Sequence, residues 1–121
     1  MQRLKVRVAA LGVAAVAGVL AWALPATAHQ TRATVTTVNV TAFDIGFKLS
    51  AKTAKSGVVI FKVKNTGKLQ HDFSISGRKT KLLNGGQSDT LRVTLKKGNW
   101  AYKCTVPGHA AAGMKGVLVV K

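Results

Sequence analysis

Beyond residue 34, hydrophobic and polar residues alternate with a period of two along much of the chain. The clearest stretches are 35–49, 58–64, 70–76 and 91–95. In the last of these, Leu91, Val93 and Leu95 alternate with polar residues. Such alternation predicts β-strands that have one side in the core and the other in solvent.

Three parts of the pattern give more specific expectations. The alternation runs without a break from Phe43 to Leu49, which predicts one half-buried strand there. The small, polar residues 50–57 predict a turn, and the basic, glycine-rich residues 77–88 predict a connection. The apolar run 117–120 predicts a strand that is covered on both faces.

Two sets of residues are expected to point inward from their strands. His71, Phe73 and Ile75 share one face of the stretch 70–76. In a later strand Trp100, Tyr102 and Cys104 share a face, and we expect the two aromatic side chains to anchor the core.

Sustained helical periodicity is absent after residue 28. Several short strands, with turn signals every 8–12 residues or so, are typical of a β-sandwich or a small barrel. We therefore predict one all-β domain over residues 29–121.

The first 28 residues are typical of a secretory signal peptide. A basic start with Arg3, Lys5 and Arg7 precedes the apolar run 8–24, and the small residues 26–28 fit a cleavage site. We expect cleavage after residue 28 and a periplasmic, secreted or cell-envelope location. An uncleaved membrane anchor is the alternative.

The chain is strongly basic. Its formal net charge is +16, and removing the three basic residues of the predicted signal lowers it from +16 to +13. The only acids are Asp44, Asp72 and Asp89. We expect an acidic redox partner protein, or an anionic membrane or cell-wall surface, to attract a monomeric protein of this charge. A solvated basic surface without a partner is the alternative, while the even scatter of lysines argues against nucleic acid.

Cys104 is the only cysteine, so the chain cannot form an internal disulfide. A free thiol in an oxidising compartment would be open to oxidation unless something occupies it. A bound metal would protect the thiolate and would add to the folding free energy.

The sequence supplies a full donor set for such a metal. His71, Cys104, His109 and Met114 offer two imidazoles, one thiolate and one thioether. Thiolate and thioether suit Cu(I), and two histidines with one cysteine and a weak axial methionine form the type 1 (blue) copper site of electron-transfer proteins. These residues predict one copper ion.

The same residues lie in motifs that resemble the cupredoxins, the azurin-, plastocyanin- and rusticyanin-like blue copper proteins. The motif Tyr-x-Cys-Thr-x-Pro-Gly-His-x-x-x-Gly-Met covers residues 102–114, and His-x-Phe covers residues 71–73. The resemblance implies a Greek-key β-sandwich. It also implies one-electron carriage rather than enzyme activity, with redox partners that dock on an apolar rim, here Ala110 to Ala112, around His109.

One residue departs from the pattern of this family. Many cupredoxins have asparagine after the first histidine ligand, where this chain has Asp72. We expect Asp72 to accept a hydrogen bond from the hydroxyl or the backbone N–H of Thr105, and its charge to favour Cu(II). Gly113 is expected to let the backbone approach the metal closely.

Three alternatives use the same residues. A copper-handling protein would exchange the metal readily, with His29 as an extra ligand once cleavage frees its α-amine. A zinc site could use His71, Cys104 and His109 but would leave Met114 unexplained. An enzyme with additional copper sites would need more histidines than the three in this chain.

Overall fold

The computed structural model describes residues 9–121. The three basic residues of the predicted signal, Arg3, Lys5 and Arg7, lie outside this range. The chain divides into two units, of which the first ends at Gln30 and the second spans Thr31–Lys121. Residues 9–30 contain no helix or strand. No helix long and apolar enough to cross a membrane occurs among the described residues.

The second unit consists of nine strands joined by turns and loops. They are β1 (Val35–Phe43), β2 (Gly46–Leu49), β3 (Thr53–Ala54), β4 (Gly57–Asn65), β5 (Ser74–Ile75), β6 (Arg78–Lys79), β7 (Ser88–Leu95), β8 (Gly98–Lys103) and β9 (Lys115–Val120). Residues 9–121 contain no helix, which confirms the all-β prediction.

The strands form two mixed sheets. The first has the order β2-β1-β4-β7, and β1 runs parallel to β4 while the other neighbours are antiparallel. The second has the order β3-β9-β8-β5-β6, in which only the β3–β9 pair is parallel. Strands β8 and β9 are joined by the loop that holds most of the candidate metal donors.

Both sheets contribute to one hydrophobic core. The inward positions of β4 and β7 follow the predicted alternation, and Val59, Phe61 and Leu95 are almost completely buried. Phe73 contacts Phe61, with ring centroids 5.0 Å apart. The predicted core residues Trp100 and Tyr102 pack against this cluster and are partly buried.

The prediction of one strand from Phe43 to Leu49 is wrong. β1 ends at Phe43 and pairs with β2 as an antiparallel hairpin, in which Phe43 lies opposite Gly46. In β1 the even-numbered residues face the core, whereas in β2 the odd-numbered residues do. At the turn between them, Ala42 is buried whereas Phe43 and Ile45 are exposed. Apolar residues at the tip of the hairpin continue the alternation across the turn and hide it from sequence reasoning.

The predicted turn and connection also contain short strands, because β3 and β6 lie within residues 50–57 and 77–88. Only Ser74 and Ile75 of the predicted strand 70–76 are in regular pairing, although His71, Phe73 and Ile75 are buried as expected.

The run 117–120 is covered on one face only. Leu118 and Val120 are buried in the core, whereas Val117 is 52% exposed and Val119 is 37% exposed. The prediction of a strand covered on both faces is therefore wrong, since no element packs on the outer side of β9 in the described part of the chain.

A buried valine on β4 and an exposed valine on β9 give a matched test of the core. Val59 is fully buried and Val117 is half-exposed, so Val59→Ala should lower the free energy of unfolding by about 1.5–3 kcal/mol. Val117→Ala should change it by less than about 0.5 kcal/mol. Urea unfolding of the metal-free protein measures both values, and equal losses would contradict the assignment of faces.

Candidate metal centre

The loop between β8 and β9 is closed by backbone hydrogen bonds at its two ends. The N–H of Cys104 donates to the carbonyl of Met114 at 3.0 Å, which extends the β8–β9 ladder by one step. Inside the loop, the N–H of Met114 donates to the carbonyl of His109 at 3.0 Å, and the N–H of His109 donates to Val106 at 3.1 Å. Three of the four predicted ligands are thus fixed by the backbone.

The fourth predicted ligand, His71, comes from the segment between β4 and β5. Its backbone forms an isolated bridge with Leu83, with hydrogen bonds of 3.0 and 2.8 Å in the two directions. The fully buried side chain of Asn65 donates to the carbonyls of Leu69 and Leu83 at 2.8 and 2.9 Å. These bonds hold the His71 segment against the end of the first sheet.

The structure brings the donor atoms of both segments together. The Nδ1 atoms of His71 and His109 lie 3.1 Å apart, and the Sγ atom of Cys104 lies 3.7 Å from Nδ1 of His109. The three donor atoms lie within 4.8 Å of one another. Two donors that share an ion at bond lengths of about 2.0–2.3 Å are separated by at most about 4.6 Å, so both measured separations fit a common ion.

Met114 lies beside Cys104. It is fully buried and packs with Ala42 and Cys104 in a small cluster of its own. His71 and Cys104 are also buried, whereas His109 is only partly buried. The site therefore has one ligand close to solvent and three that solvent does not reach.

The chemistry of these donors fits copper. A thiolate, two imidazoles and a thioether combine ligands that suit Cu(I) with ligands that suit both oxidation states. Burial raises the pKa of the Cys104 thiol, so the metal-free thiol is protonated at neutral pH. Copper binding would displace that proton, because the thiolate is the metal ligand.

Comparison with known proteins agrees with this donor set. The model of the plastocyanin/azurin family of copper binding proteins matches residues 12–121. The chain belongs to this family. Its cofactor is copper, for which His71, Cys104, His109 and Met114 stay the predicted ligand set, and the prediction that the chain is not an enzyme agrees with this membership.

One curated relative of the chain is auracyanin-B of Chloroflexus aurantiacus. It is 48% identical to the chain over 42 residues, which cover 34% of the chain and 18% of the relative. The chain thus matches about a fifth of the length of that protein.

Solved structures of auracyanin and rusticyanin have a similar fold. Auracyanin from Roseiflexus castenholzii gives a TM-score of 0.62 at 24% identity, covering 74% of this chain and 99% of the other. Rusticyanin from Thiobacillus ferrooxidans gives 0.60 at 21% identity, covering 72% and 77%. At these identities the likeness concerns the fold alone.

Asp72 makes the contacts that the sequence predicts. Its carboxylate accepts a hydrogen bond from the backbone N–H of Thr105 at 2.6 Å and a second, short one from the Thr105 hydroxyl. Asp72 is 4% exposed, so it is not a solvated side chain that merely alternates away from His71. The two bonds therefore join Asp72, which follows His71, to Thr105, which follows Cys104.

Gly113 has a φ of +121°, a conformation that side chains with a Cβ rarely adopt. Nothing lies within 4 Å of where its Cβ would be. Glycine is therefore required by the backbone turn that leads into Met114. The close approach of its backbone to the metal stays a prediction.

Sequence reasoning missed Asp44, which lies in the turn between β1 and β2. Its carboxylate oxygen Oδ1 is 2.7 Å from Nε2 of His71. A hydrogen bond from the N–H of Lys68, followed by the bond from His71, holds the pKa of Asp44 below its ordinary value. No sequence motif marks this contact, because 27 residues separate the two partners.

The charge of Asp72 should influence the copper potential. Asp72→Asn removes the negative charge but keeps one acceptor for Thr105, so the reduction potential should rise. A tenfold change in the ratio of Cu(II) to Cu(I) affinity corresponds to about 59 mV. Thr105→Val, which loses only the hydroxyl bond, is the control and should shift the potential less. An unchanged potential in Asp72→Asn, measured by voltammetry, would contradict a role for this charge.

Proposed function

We propose that this protein is an exported blue copper protein that carries single electrons between redox partners. The observation that supports this most directly is the convergence of His71, Cys104 and His109, whose donor atoms lie within 4.8 Å of one another beside a buried Met114. Bound copper would supply the chemistry by cycling between Cu(II) and Cu(I).

A site for fast electron transfer should change little when the metal changes its charge. Here backbone hydrogen bonds hold every predicted ligand. Cys104 and Met114 are joined through their backbones, His71 is bridged to Leu83, and His109 is tied to Met114. These contacts involve protein atoms only, which favours a small reorganisation on oxidation and reduction.

Electrons would enter and leave beside His109, since it is the one predicted ligand that is only partly buried. The neighbouring Ala110 is partly buried, and Ala111 and Ala112 are exposed. Their methyl groups offer an apolar surface on which a partner can approach without leaving a polar group unpaired.

The partner should be anionic, because the protein exposes positive charge without neutralising it. All 16 lysines and arginines among residues 9–121 are exposed, and none of them forms an ion pair in that range. The three acids accept internal hydrogen bonds instead: Asp44 from Lys68, Asp72 from Thr105 and Asp89 from Lys81. An acidic redox protein, or an anionic membrane or cell-wall surface, fits this field.

Export is proposed from the leader-like residues 1–28, and a periplasmic or cell-envelope location would follow. Such a location suits a protein that keeps its single cysteine out of solvent, since Cys104 is 1% exposed.

The burial of the site favours electron carriage over copper delivery. A delivery protein must release its metal to an acceptor, whereas here His71, Cys104 and Met114 are almost completely buried. Release would require the loop between β8 and β9 to open. Slow transfer of Cu(I) to a strong chelator, together with rapid electron self-exchange, would distinguish the carrier from the delivery protein.

The copper-loaded, oxidised protein should show intense visible absorption from charge transfer between the Cys104 thiolate and copper. Cys104→Ser should abolish this band because it removes the sulfur, and Thr105→Val is a neighbouring control that should retain it. Absorption spectroscopy during titration with Cu(II) checks both variants. A wild-type protein that binds copper and stays colourless would refute the proposed function.

The positive surface predicts opposite salt effects for reagents of opposite charge. Oxidation of the reduced protein by anionic hexacyanoferrate(III) should slow by about tenfold or more as salt increases. Oxidation by cationic tris(phenanthroline)cobalt(III) should accelerate. Stopped-flow rates between about 0.01 M and 1 M ionic strength, where the Debye length falls from about 30 to 3 Å, measure both. Equal salt dependence for the two reagents would contradict electrostatic attraction of anions.

A further inference from the structure

We propose that Asp44 is a positioning residue of the copper site, which fixes the ring of His71 and favours Cu(II) through its negative charge. The inference rests on the proposed copper site but goes beyond its ligands. It assigns a function to a residue in the turn of the β1–β2 hairpin, which belongs to the opposite sheet from the loop that holds Cys104.

The first step concerns which nitrogen of His71 binds the metal. Nδ1 points to the other donors, at 3.1 Å from Nδ1 of His109, while Nε2 lies 2.7 Å from Oδ1 of Asp44. A carboxylate only accepts hydrogen bonds, so Nε2 must carry the proton and donate it. This leaves the lone pair of Nδ1 free for the metal. Hydrogen bonds of this kind orient metal-binding histidines and raise their basicity.

The second step concerns what holds the carboxylate. Asp44 accepts hydrogen bonds from the N–H groups of Lys68 and Leu69, at 2.6 and 3.2 Å. These residues lie just before His71 in the chain, so one carboxylate binds both the ring and the loop that carries it. Asp44 approaches this loop so closely that a Cβ at Gly67 would collide with its side chain.

The third step concerns burial. His71 is fully buried, and the side chain of Asp44 is 28% exposed. Asp44 therefore lies between the ring and solvent, and its interaction with the ring is only partly screened. The chain has only three acids, of which Asp44 contacts a ligand directly and Asp72 contacts the residue after another. Because Cu(II) carries one more positive charge than Cu(I), negative charge at this place favours the oxidised state.

The test compares two variants that lose the same charge. In Asp44→Asn the amide oxygen can still accept the proton of Nε2, but the negative charge is gone. Asp89→Asn is the matched control, since Asp89 likewise accepts backbone hydrogen bonds, from Lys81 and Thr90 at 3.0 and 2.8 Å, and its bonds reach no predicted ligand. Both variants have the same net charge.

Asp44→Asn should weaken Cu(II) binding about 10–100-fold, as changes in such hydrogen-bonding partners do, and should weaken Cu(I) binding less. A tenfold change in the affinity ratio raises the potential of a one-electron couple by about 59 mV. Voltammetry and competition with chelators measure these quantities. An equal potential in Asp44→Asn and Asp89→Asn would overturn the proposal. The intense visible absorption of the copper-loaded wild-type protein tests the copper site separately, so the two failures can be distinguished.

A second measurement needs neither copper nor a variant. Nitrogen-15 NMR of the metal-free wild-type protein distinguishes the two neutral forms of the His71 ring. The proposal requires the form that is protonated at Nε2, with a proton that exchanges slowly with solvent. Protonation at Nδ1 alone would overturn it, even if Asp44→Asn fails to fold.

Discussion

The hydrogen bond from the N–H of Cys104 to the carbonyl of Met114 is the constraint on which the metal site depends. It makes the ligand loop a continuation of the β8–β9 pairing, so that the two sulfur ligands leave adjacent strand ends side by side. A loop of this kind cannot move one sulfur without disturbing the sheet. The stability of the core between the sheets is thereby transmitted to the donor atoms.

Much of this arrangement could be predicted from sequence because it is local. Strand β7 follows the alternation of Leu91, Val93 and Leu95, and the spacing between Cys104 and Met114 identifies the ligand loop. The bond between Asp72 and Thr105 could also be predicted, since each follows a recognisable ligand.

Other features depend on contacts between distant segments, and local pattern does not reveal them. Exposed Phe43 and Ile45 carry the alternation through the hairpin turn, so the pattern predicts a strand where the structure has a turn. The contact of Asp44 with His71 depends on how that turn meets the His71 loop. Val117 is exposed because no element of residues 9–121 covers that face of β9. An apolar run by itself does not tell whether both faces of a strand are covered.

All three carboxylates accept hydrogen bonds from other residues of the protein, and this has a consequence for how the molecule can change. Asp44 accepts a hydrogen bond from the predicted ligand His71, and Asp72 accepts its bonds from Thr105, whereas the lysines and arginines of residues 9–121 lie at the surface, where salt screens them. Under the proposed function, the strength of attraction to a partner and the electron affinity of the metal would thus be controlled by separate groups. Surface lysines could then be exchanged to suit a new partner while the reduction potential of the copper stays nearly constant.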